Sequence, residues 1–252
     1  KYFNRKIQMK RQIVSVMTYP TIVMLVTILV LYFMLNKVVP MFSSVFKQFG
    51  SELPKSTQII LKISNHSGTI FSFVIAFIVG LIIVHALLKK NDSYRAFTTK
   101  MLLKIPYFGN LIRKIYISRF CQAMNLLITS KTTLINSLSL TGKMISFYPI
   151  EIAIQQIKED ITRGASLNES LKKHSVFENK MVSMVEVAEQ VNQLETMFER
   201  LTEQYNEEIS HQTKMIGVIL EPMIIIVIGA IVGVIMVSMY APMFDLSKII
   251  NK

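Results

Sequence analysis

The sequence predicts an all-α integral membrane protein with three transmembrane helices and a cytoplasmic helical bundle of about six helices. Three observations lead to this fold class: three uncharged apolar stretches, a composition with 51% apolar and only 17% charged residues, and no strict apolar–polar alternation. A soluble domain carries about 25% charged residues, and strict alternation would indicate a half-buried strand.

Three stretches are long enough to cross a bilayer, at residues 13–35, 70–88 and 222–244. A helix needs about 20 apolar residues to span the ~30 Å hydrocarbon core. We therefore assign transmembrane helices to 13–40, 70–89 and 216–244. No small-residue cleavage site follows the first stretch, so it does not have the pattern of a cleaved signal peptide.

The first and third stretches repeat one pattern. Pro20 and Pro222 open them, and Pro40 and Pro242, each followed by Met-Phe, close them at the same distance. Such self-similarity indicates duplication of a helical domain together with its exit helix. We therefore expect residues 1–12 to be the tail of a truncated first cytoplasmic helical domain, the second copy being whole.

Basic residues near the spans predict the orientation, because Lys and Arg prefer the cytoplasmic side. Five precede the first span and eight lie between residues 89 and 119, whereas the loop at 41–69 has three. The N-terminus and the second helical domain at 90–215 are therefore predicted to be cytoplasmic. The loop at 41–69 and the tail at 245–252 are predicted to be external.

The segment 90–215 is predicted to be helical throughout. A helix continuing from the second span should end at Pro106, and apolar residues at helical spacing predict a second helix over 111–128. Thr132 or Thr133 is expected to cap the helix after it.

The rest of this segment has further start and stop signals. Pro149 suits the first turn of a helix and Gly164 its end, while Ser166 and Glu169 form the pattern of a capping box. Two longer helices are predicted over 178–192 and 193–215, and the second of these is expected to run straight into the third span.

The formal charge of +12 does not indicate binding to nucleic acid. Residues 90–214 contain 16 basic and 13 acidic residues, an excess of only three, and the remaining positive charge flanks the spans. Basic residues at those places bind anionic headgroups and set orientation. We expect membrane lipids as partners of this charge and no direct contact with nucleic acid.

Residue types that support catalysis or metal binding do not form any recognisable pattern. Cys121 is the single cysteine and the four histidines are scattered. The phosphate-binding loop, the His-Glu-x-x-His motif and the Gly-x-Ser-x-Gly motif are all absent from the sequence. We therefore expect no disulfide, no metal, no cofactor and no enzymatic activity.

Several short strings, taken in order and spacing, carry a family resemblance. They are Tyr19-Pro20, VPMF (39–42), FGSELPKST (49–57), IPYFG (105–109), Arg119-Phe120, GASL (164–167), Glu221-Pro222 and PMF (242–244). The chain resembles the inner-membrane platform proteins of type II secretion and type IV pilus systems, which include the competence pseudopilus of Gram-positive bacteria. Low glycine with abundant Lys, Ile and Asn resembles the competence branch.

The chain departs from the family pattern at two places. Where the family usually has Gly-Glu-Glu-Ser-Gly, this chain has AEQVN at 188–192, so Gln190 replaces one carboxylate. Lys131 replaces a customary glycine. Asn192 still suits the left-handed conformation that ends a helix, so we expect that turn to be kept.

The resemblance implies a mechanical role without catalysis. Family members are located in the bacterial cytoplasmic (inner) membrane at the base of a growing pilus or pseudopilus. The partners implied are pilin or pseudopilin subunits, gathered laterally from the membrane, and a cytoplasmic assembly ATPase whose motion is passed to them. The resemblance also implies a homo-oligomer, for protein secretion or competence DNA uptake.

Acidic residues of the last predicted helix are the candidate partner-binding residues. Glu195, Glu199, Glu203 and Glu207 recur every four positions, and a like-charge row costs a few tenths of a kcal/mol per pair unless a partner neutralises it. The ridge is expected to contact basic residues of the ATPase or of the first domain. A solvated face partly neutralised by Arg200 is the alternative.

Glu221 is a further candidate at the cytoplasmic edge of the third span. An ionised carboxylate there costs far less than the ~2.5–3.5 kcal/mol estimated at a helix centre. One interpretation is contact with a positive group on an incoming pilin, such as its N-terminal amine. A second interpretation is that it braces the helix against its repeat mate. The alternative to both is an interfacial anchor or a partner for Lys214.

Five residues are predicted to have structural roles: Pro20, Pro40, Gly164, Pro222 and Pro242. Proline inside a helix removes a hydrogen bond and clashes with the preceding turn. If the helices continue unbroken into the spans, Pro20 and Pro222 should each kink a helix at the membrane surface.

Two other classes of protein fit parts of the pattern. A membrane-anchored signalling or scaffold protein would also have a helical domain on spans. A small transporter would need polar or discontinuous helices at the bilayer centre, and no ionisable residue lies in the middle of a span. The proteins that co-purify with the chain would discriminate between these classes.

Overall fold

The computed structural model describes residues 2–41, 44, 55–89 and 91–250, and all regular elements in this part are helical. They are α1 (Tyr2–Phe33), a π-helical turn (Met34–Val38), α2 (Lys55–Asn65), α3 (Ser67–Leu88), α4 (Asp92–Lys104), α5 (Phe108–Thr129), α6 (Leu134–Met144), α7 (Tyr148–Thr162), α8 (Leu167–Lys172), α9 (Asn179–Gln190) and α10 (Leu194–Ile250). The predicted all-α class is confirmed. Phe42 and the part of the family string at 49–54 lie outside the described residues.

The chain divides into two compact units. The helical bundle consists of Lys1–Ile13 with Leu87–Met215, and the membrane unit consists of Val14–Ala86 with Ile216–Lys252. Both α1 and α10 contribute residues to each unit.

Three helices of the described residues are long and apolar enough to cross a membrane: Thr18–Met41, Ser67–Leu88 and Leu194–Ser238. Most apolar side chains of α3 are exposed, with Phe73 at 71%, as expected for side chains that face lipid. The prediction of three transmembrane helices is confirmed.

Pro20 and Pro222 both lie inside long helices. α1 contains Pro20, and α10 runs for 57 residues through Pro222 and Pro242. The last bundle helix therefore continues into the third span, as predicted. The kinks expected at Pro20 and Pro222 remain predictions.

A π-helical turn at Met34–Val38 interrupts the first span just before Pro40. The Val39 N–H donates to Met34 O, five residues back, whereas Pro40 has no N–H to donate. In an α-helix, Leu35 O would accept a hydrogen bond from the Val39 N–H. In a π-helix, it would accept one from the N–H of residue 40. It therefore has no main-chain donor in either register.

A side chain of α2 supplies the missing donor. The Ser64 hydroxyl donates to Leu35 O, and Ser64 is 4% exposed. Beside this bond, Ser67 Oγ donates to Asn36 Oδ1 at 2.9 Å and Asn36 Nδ2 donates to Tyr32 O at 3.0 Å. The end of the first span and the α2–α3 junction are thus joined by hydrogen bonds, as buried polar groups require.

Apolar contacts surround these hydrogen bonds in the membrane unit. Val39, Ile60 and Ile235 form a buried cluster. Next to it is an apolar groove of about 380 Å³, lined by residues that include Leu31, Ile63 and Val234.

The helical bundle packs around one apolar core. In chain order, α5 packs on α6, α6 on α7, α7 on α8 and α8 on α9, while α4 packs on α5 and α7. Phe120 is fully buried at the centre, with ring centroids 5.1 Å from Phe177 and 6.1 Å from Phe198. Tyr116 stacks on Phe147 at 4.1 Å.

The helix before Pro106 does not continue from the second span, so that prediction was wrong. α3 ends at Leu88 and α4 begins at Asp92, because Asn91 has extended backbone and its side chain accepts from the Ser93 N–H as an N-cap. α4 is thus a separate helix added to the six expected. Thr133 is the N-cap residue of α6, but its side chain makes no capping hydrogen bond.

The other local signals are confirmed. Pro149 lies in the first turn of α7, and Ser166 and Glu169 form a full capping box at α8. Gly164 has φ +96°, a conformation that is accessible to glycine at little cost. Asn192, with φ 53°, adopts the left-handed conformation predicted for it.

Candidate partner-binding surface

The part of α10 that lies in the bundle has one buried face. Its buried side chains recur at intervals of one, three and four residues, the spacing of one face of a helix; they are Phe198, Leu201, Thr202, Tyr205, Ile209 and Thr213. The opposite face of this part of α10 is therefore left for solvent or partners.

The acidic ridge, which we define as Glu195, Glu199, Glu203 and Glu207, lies along α10. Glu199, Glu203 and Glu207 are exposed, whereas Glu195 is half-buried. Each step of four residues rotates the side chain by about 40°, so the ridge is a shallow spiral of about 120°. Arg200, which could neutralise part of it, is also exposed.

Glu195 differs from the rest of the ridge because it lies at the start of α10. Its main-chain carbonyl accepts from Asn125 Nδ2 of α5 at 3.3 Å. The ridge therefore begins where the last turns of α5 meet α10.

Glu208, next to the ridge, forms ion pairs with residues of two other helices. Lys114 Nζ of α5 lies 2.6 Å from Glu208 Oε2 and Lys180 Nζ of α9 lies 3.6 Å from Glu208 Oε1. Partial burial opposes ionisation of Glu208, but hydrogen bonds from Lys114 and Gln204 outweigh it and lower its pKa. No local pattern in the sequence predicts this contact, since Lys114 and Glu208 are 94 residues apart.

Two further polar contacts hold α10 in the bundle. Tyr205 Oη donates to Glu178 Oε2 at 3.2 Å, and burial together with the Glu178 carboxylate raises the pKa of Tyr205. Ser118 Oγ donates to Asn206 Oδ1 at 2.7 Å. The buried face of α10 is therefore positioned by specific hydrogen bonds as well as by apolar packing.

Glu189 connects the segment 188–192, where the chain departs from the family pattern, to the family string at 164–167. Its carboxylate accepts from the main-chain N–H groups of Leu167 at 2.8 Å and Asn168 at 3.1 Å, and from Asn168 Nδ2 at 3.1 Å. Glu189 thus caps α8, which begins at the last residue of the string at 164–167. Glu189, the carboxylate that this chain keeps in the segment 188–192, therefore binds within the bundle. Gln190, which replaces the other carboxylate of the family pattern, is exposed.

The other predicted residues occupy different places. Glu221 and Pro222 are exposed on α10, Pro20 is buried and Pro40 is exposed. The backbone at Pro242 is helical. Glu221 lies 14 residues after Glu207, the last residue of the acidic ridge.

The described residues contain no group of three or more His, Cys, Asp and Glu side chains that could hold a metal ion. Cys121 is fully buried, and burial raises the pKa of its thiol. A buried, protonated thiol is a poor nucleophile.

Comparison with known proteins gives matches along the whole chain. The family described as "Type II secretion system (T2SS), protein F" matches residues 120–242. "Type IV pilus assembly protein PilC" of Pseudomonas aeruginosa is 30% identical over 254 residues, covering 99% of this chain and 67% of that protein.

The chain belongs to the type II secretion system protein F family.

Other relatives carry both kinds of family name. "Type IV pilus assembly protein PilC" of Myxococcus xanthus is 30% identical over 250 residues, covering 99% of this chain and 60% of that protein. "Type II secretion system protein F" of Aeromonas hydrophila is 24% identical over 253 residues, covering 99% of this chain and 64% of that protein. The chain thus spans 60% to 67% of the length of these three protein F family members.

Proposed function

We propose that this chain is the membrane platform part of a machine that assembles a type IV pilus-like filament or pseudopilus. The observation that carries this proposal is the match of 99% of the chain to two type IV pilus assembly proteins. The platform couples a cytoplasmic assembly ATPase to pilin subunits and has no catalytic activity of its own. Protein secretion and competence DNA uptake are the two processes that it would serve.

The proposed topology follows the distribution of basic residues. The bundle and the N-terminus lie in the cytoplasm, while the loop at 41–69 and the tail at 245–252 lie outside the bacterial inner membrane. The excess of Lys and Arg at the N-terminus and between residues 89 and 119 supports this orientation. The domain bounds at 90–215 and 216–244 belong to the same proposal.

The partners contact the protein at two places. The exposed carboxylates of the acidic ridge meet basic residues of the ATPase or of the first domain. Glu221 meets a positive group of the incoming pilin at the membrane surface. Pro20 and Pro222 kink their helices there, and copies of the platform associate with each other.

Purification of the full-length protein from its own membranes tests the function. We expect the assembly ATPase and pilin subunits to co-purify with it, in a complex that contains more than one copy of the platform. Mass spectrometry identifies the partners, and native mass spectrometry counts the copies. Recovery of a kinase or another regulator in place of the ATPase and pilins would contradict the proposal.

A further inference from the structure

Positive charge is concentrated around α4 and α5. Between Asp92 and Glu151 the sequence has no acidic residue and eight basic ones: Arg95, Lys100, Lys104, Arg113, Lys114, Arg119, Lys131 and Lys143. Lys100 and Lys104 of α4 are exposed. A surface built from this segment attracts anions.

α4 has one face fixed to the bundle. Leu103 packs against the apolar core, and Arg95 forms an ion pair with Glu151 of α7. The hydrogen bond with Glu151 raises the pKa of Arg95. This side of α4 is therefore occupied within the bundle.

The opposite face of α4 is apolar, exposed and flanked by lysines. Phe97 is 66% exposed and Met101 is 64% exposed, and they are one helical turn apart. Lys100 and Lys104 lie within one turn of them on the same side of the helix. Large apolar side chains that are grouped on a surface and rimmed by charge indicate a binding site.

The turn after α4 extends this apolar surface. Phe108 N–H donates to Pro106 O at 2.8 Å, which makes Tyr107 the centre of a γ-turn with φ 63° and ψ −50°. This turn is strained for a residue with a side chain, and Tyr107 is 76% exposed. Strain that presents an aromatic ring to the outside points to a function for that ring.

Close packing keeps the turn in this conformation. A Cβ atom on Gly109 would lie 2.2 Å from Leu103 O, so only glycine fits between the turn and the end of α4. Ile105 and Phe108 on either side of Tyr107 are also exposed. We define the α4 apron as Phe97, Lys100, Met101, Lys104, Ile105, Tyr107 and Phe108.

Chain connectivity keeps the start of α4 close to the end of the second span. α3, the second span, ends at Leu88 and α4 begins at Asp92, so the start of α4 lies within about 14 Å of the end of the span. Apolar side chains interleaved with lysines are the composition of helices that lie in the interface of anionic membranes. A tyrosine suits that depth because its ring is apolar and its hydroxyl is polar.

We propose that the α4 apron docks onto the membrane surface, with Phe97, Met101 and Tyr107 inserted among the acyl chains and Lys100 and Lys104 bound to anionic lipid headgroups. The lysine stems cover apolar surface while their ammonium groups reach the phosphates. The interaction is independent of the proposed function, since it requires only the lipid.

Tryptophan fluorescence tests the docking directly, because the chain has no tryptophan. The full chain carrying F97W is reconstituted into vesicles of phosphatidylglycerol and phosphatidylcholine. The phosphatidylcholine is brominated on its acyl chains, and the bromine atoms quench tryptophan fluorescence on contact. The matched control is V187W, at a side chain of α9 that is 56% exposed. Y107W repeats the test on the turn if F97W does not fold, as judged by helical circular dichroism.

We expect strong quenching of F97W and weak quenching of V187W. The substitutions K100E and K104E should each lower the docked-to-undocked ratio of F97W by about fivefold, and high salt should act in the same direction. Equal quenching of F97W and V187W would overturn the proposal. Quenching that does not change with phosphatidylglycerol content or with the lysine substitutions would overturn the assignment to anionic headgroups.

Contact with a second copy of the chain gives a different result. Emission of F97W would then shift to the blue without quenching by brominated lipid, and the shift would weaken as the protein is diluted in lipid. That outcome would also overturn the proposal.

Discussion

Individual carboxylates of the bundle have different roles because their partners differ. Glu208 forms ion pairs with Lys114 and Lys180, and Glu189 caps α8. Glu199, by contrast, is exposed on the acidic ridge. A carboxylate with partners in the same bundle contributes to stability, whereas the exposed carboxylates of the ridge are the ones that we propose to contact another protein.

We expect Glu208→Gln to lower the free energy of unfolding at pH 7 by about 1 kcal/mol. The ion pairs lower the folded-state pKa of Glu208 below its ordinary value of 4.5, so its contribution is present above 4.5 and is lost as the pH falls through the folded-state pKa. Denaturant unfolding at neutral and acidic pH measures this. The difference between wild type and variant should vanish in acid.

The exposed neighbour Glu207 provides the control for this measurement. Glu207→Gln should change the pH dependence of the free energy of unfolding much less than Glu208→Gln does. An equal decrease in the free energy of unfolding in both variants would show that the pairing of Glu208 with Lys114 does not stabilise the fold.

We expect Glu221→Gln to reduce pilus assembly about tenfold, which corresponds to ~1.4 kcal/mol of binding, at unchanged protein levels. The reason is the loss of a charge that meets a positive group on the pilin. Glu221→Asp keeps the charge and should retain most assembly. Normal assembly by Glu221→Gln would favour the interfacial anchor.

Among the elements, the π turn of the first span depends on a residue of another helix. Pro40 removes the N–H that Leu35 O would use in the π register, and Ser64 replaces it. The turn also has one residue more than an α turn, which rotates the following residues by about 100°. Val39, which follows the turn, is 3% exposed in the cluster with Ile60.

We expect Ser64→Ala to lower the midpoint of thermal unfolding by about 2–4 °C, the effect of roughly 1 kcal/mol in a chain of this size. In a Pro40→Ala background residue 40 regains its N–H, so the same change should have much less effect. A double-mutant cycle on the full chain in detergent measures the coupling. The control is Ser67→Ala, which should show no coupling to Pro40→Ala because the Ser67 hydroxyl donates to the Asn36 side chain. If Ser64→Ala lowered the midpoint equally in both backgrounds, Ser64 would not replace the N–H that Pro40 lacks.

For the acidic ridge we expect Glu199→Lys with Glu203→Lys to weaken binding of the ATPase at least tenfold, because like charges then face each other across the interface. Binding of the purified ATPase to the reconstituted protein measures this, with pilus assembly as a second readout. Glu159→Lys with Glu186→Lys changes the net charge equally at exposed positions on α7 and α9 and is the control. Unchanged binding and assembly in the ridge variant would rule out this contact.

Local sequence signals predicted most elements of the bundle correctly. The Ser166 capping box, Pro149 in the first turn of α7 and the left-handed Asn192 all depend on neighbours within a few residues, so their physics is visible in the sequence. Glu208 with Lys114 and Ser64 with Leu35 depend on helices that are distant in sequence. Such contacts follow from packing, so no local signal in the sequence predicts them.

For the whole molecule, fold class and family follow from the sequence, but the sides of the membrane require a test. We expect a cysteine at Lys143 to be labelled by an impermeant maleimide only from the cytoplasm, and a cysteine at Lys62 only from outside. Both side chains are exposed, and the native Cys121 is fully buried, so the introduced thiol dominates the signal. Labelling of both from one side would contradict the proposed topology.

The cap that Glu189 provides for α8 has a consequence for synthesis at the ribosome. α8 has six residues, too few to be stable alone, and the carboxylate that binds its first N–H groups is translated more than 20 residues later. α8 should therefore remain unfolded on the ribosome until α9 has emerged and docked. A nascent chain whose emerged part ends between α8 and residue 189 would expose the α8 segment to proteases, and a chain arrested after α9 has left the exit tunnel would protect it.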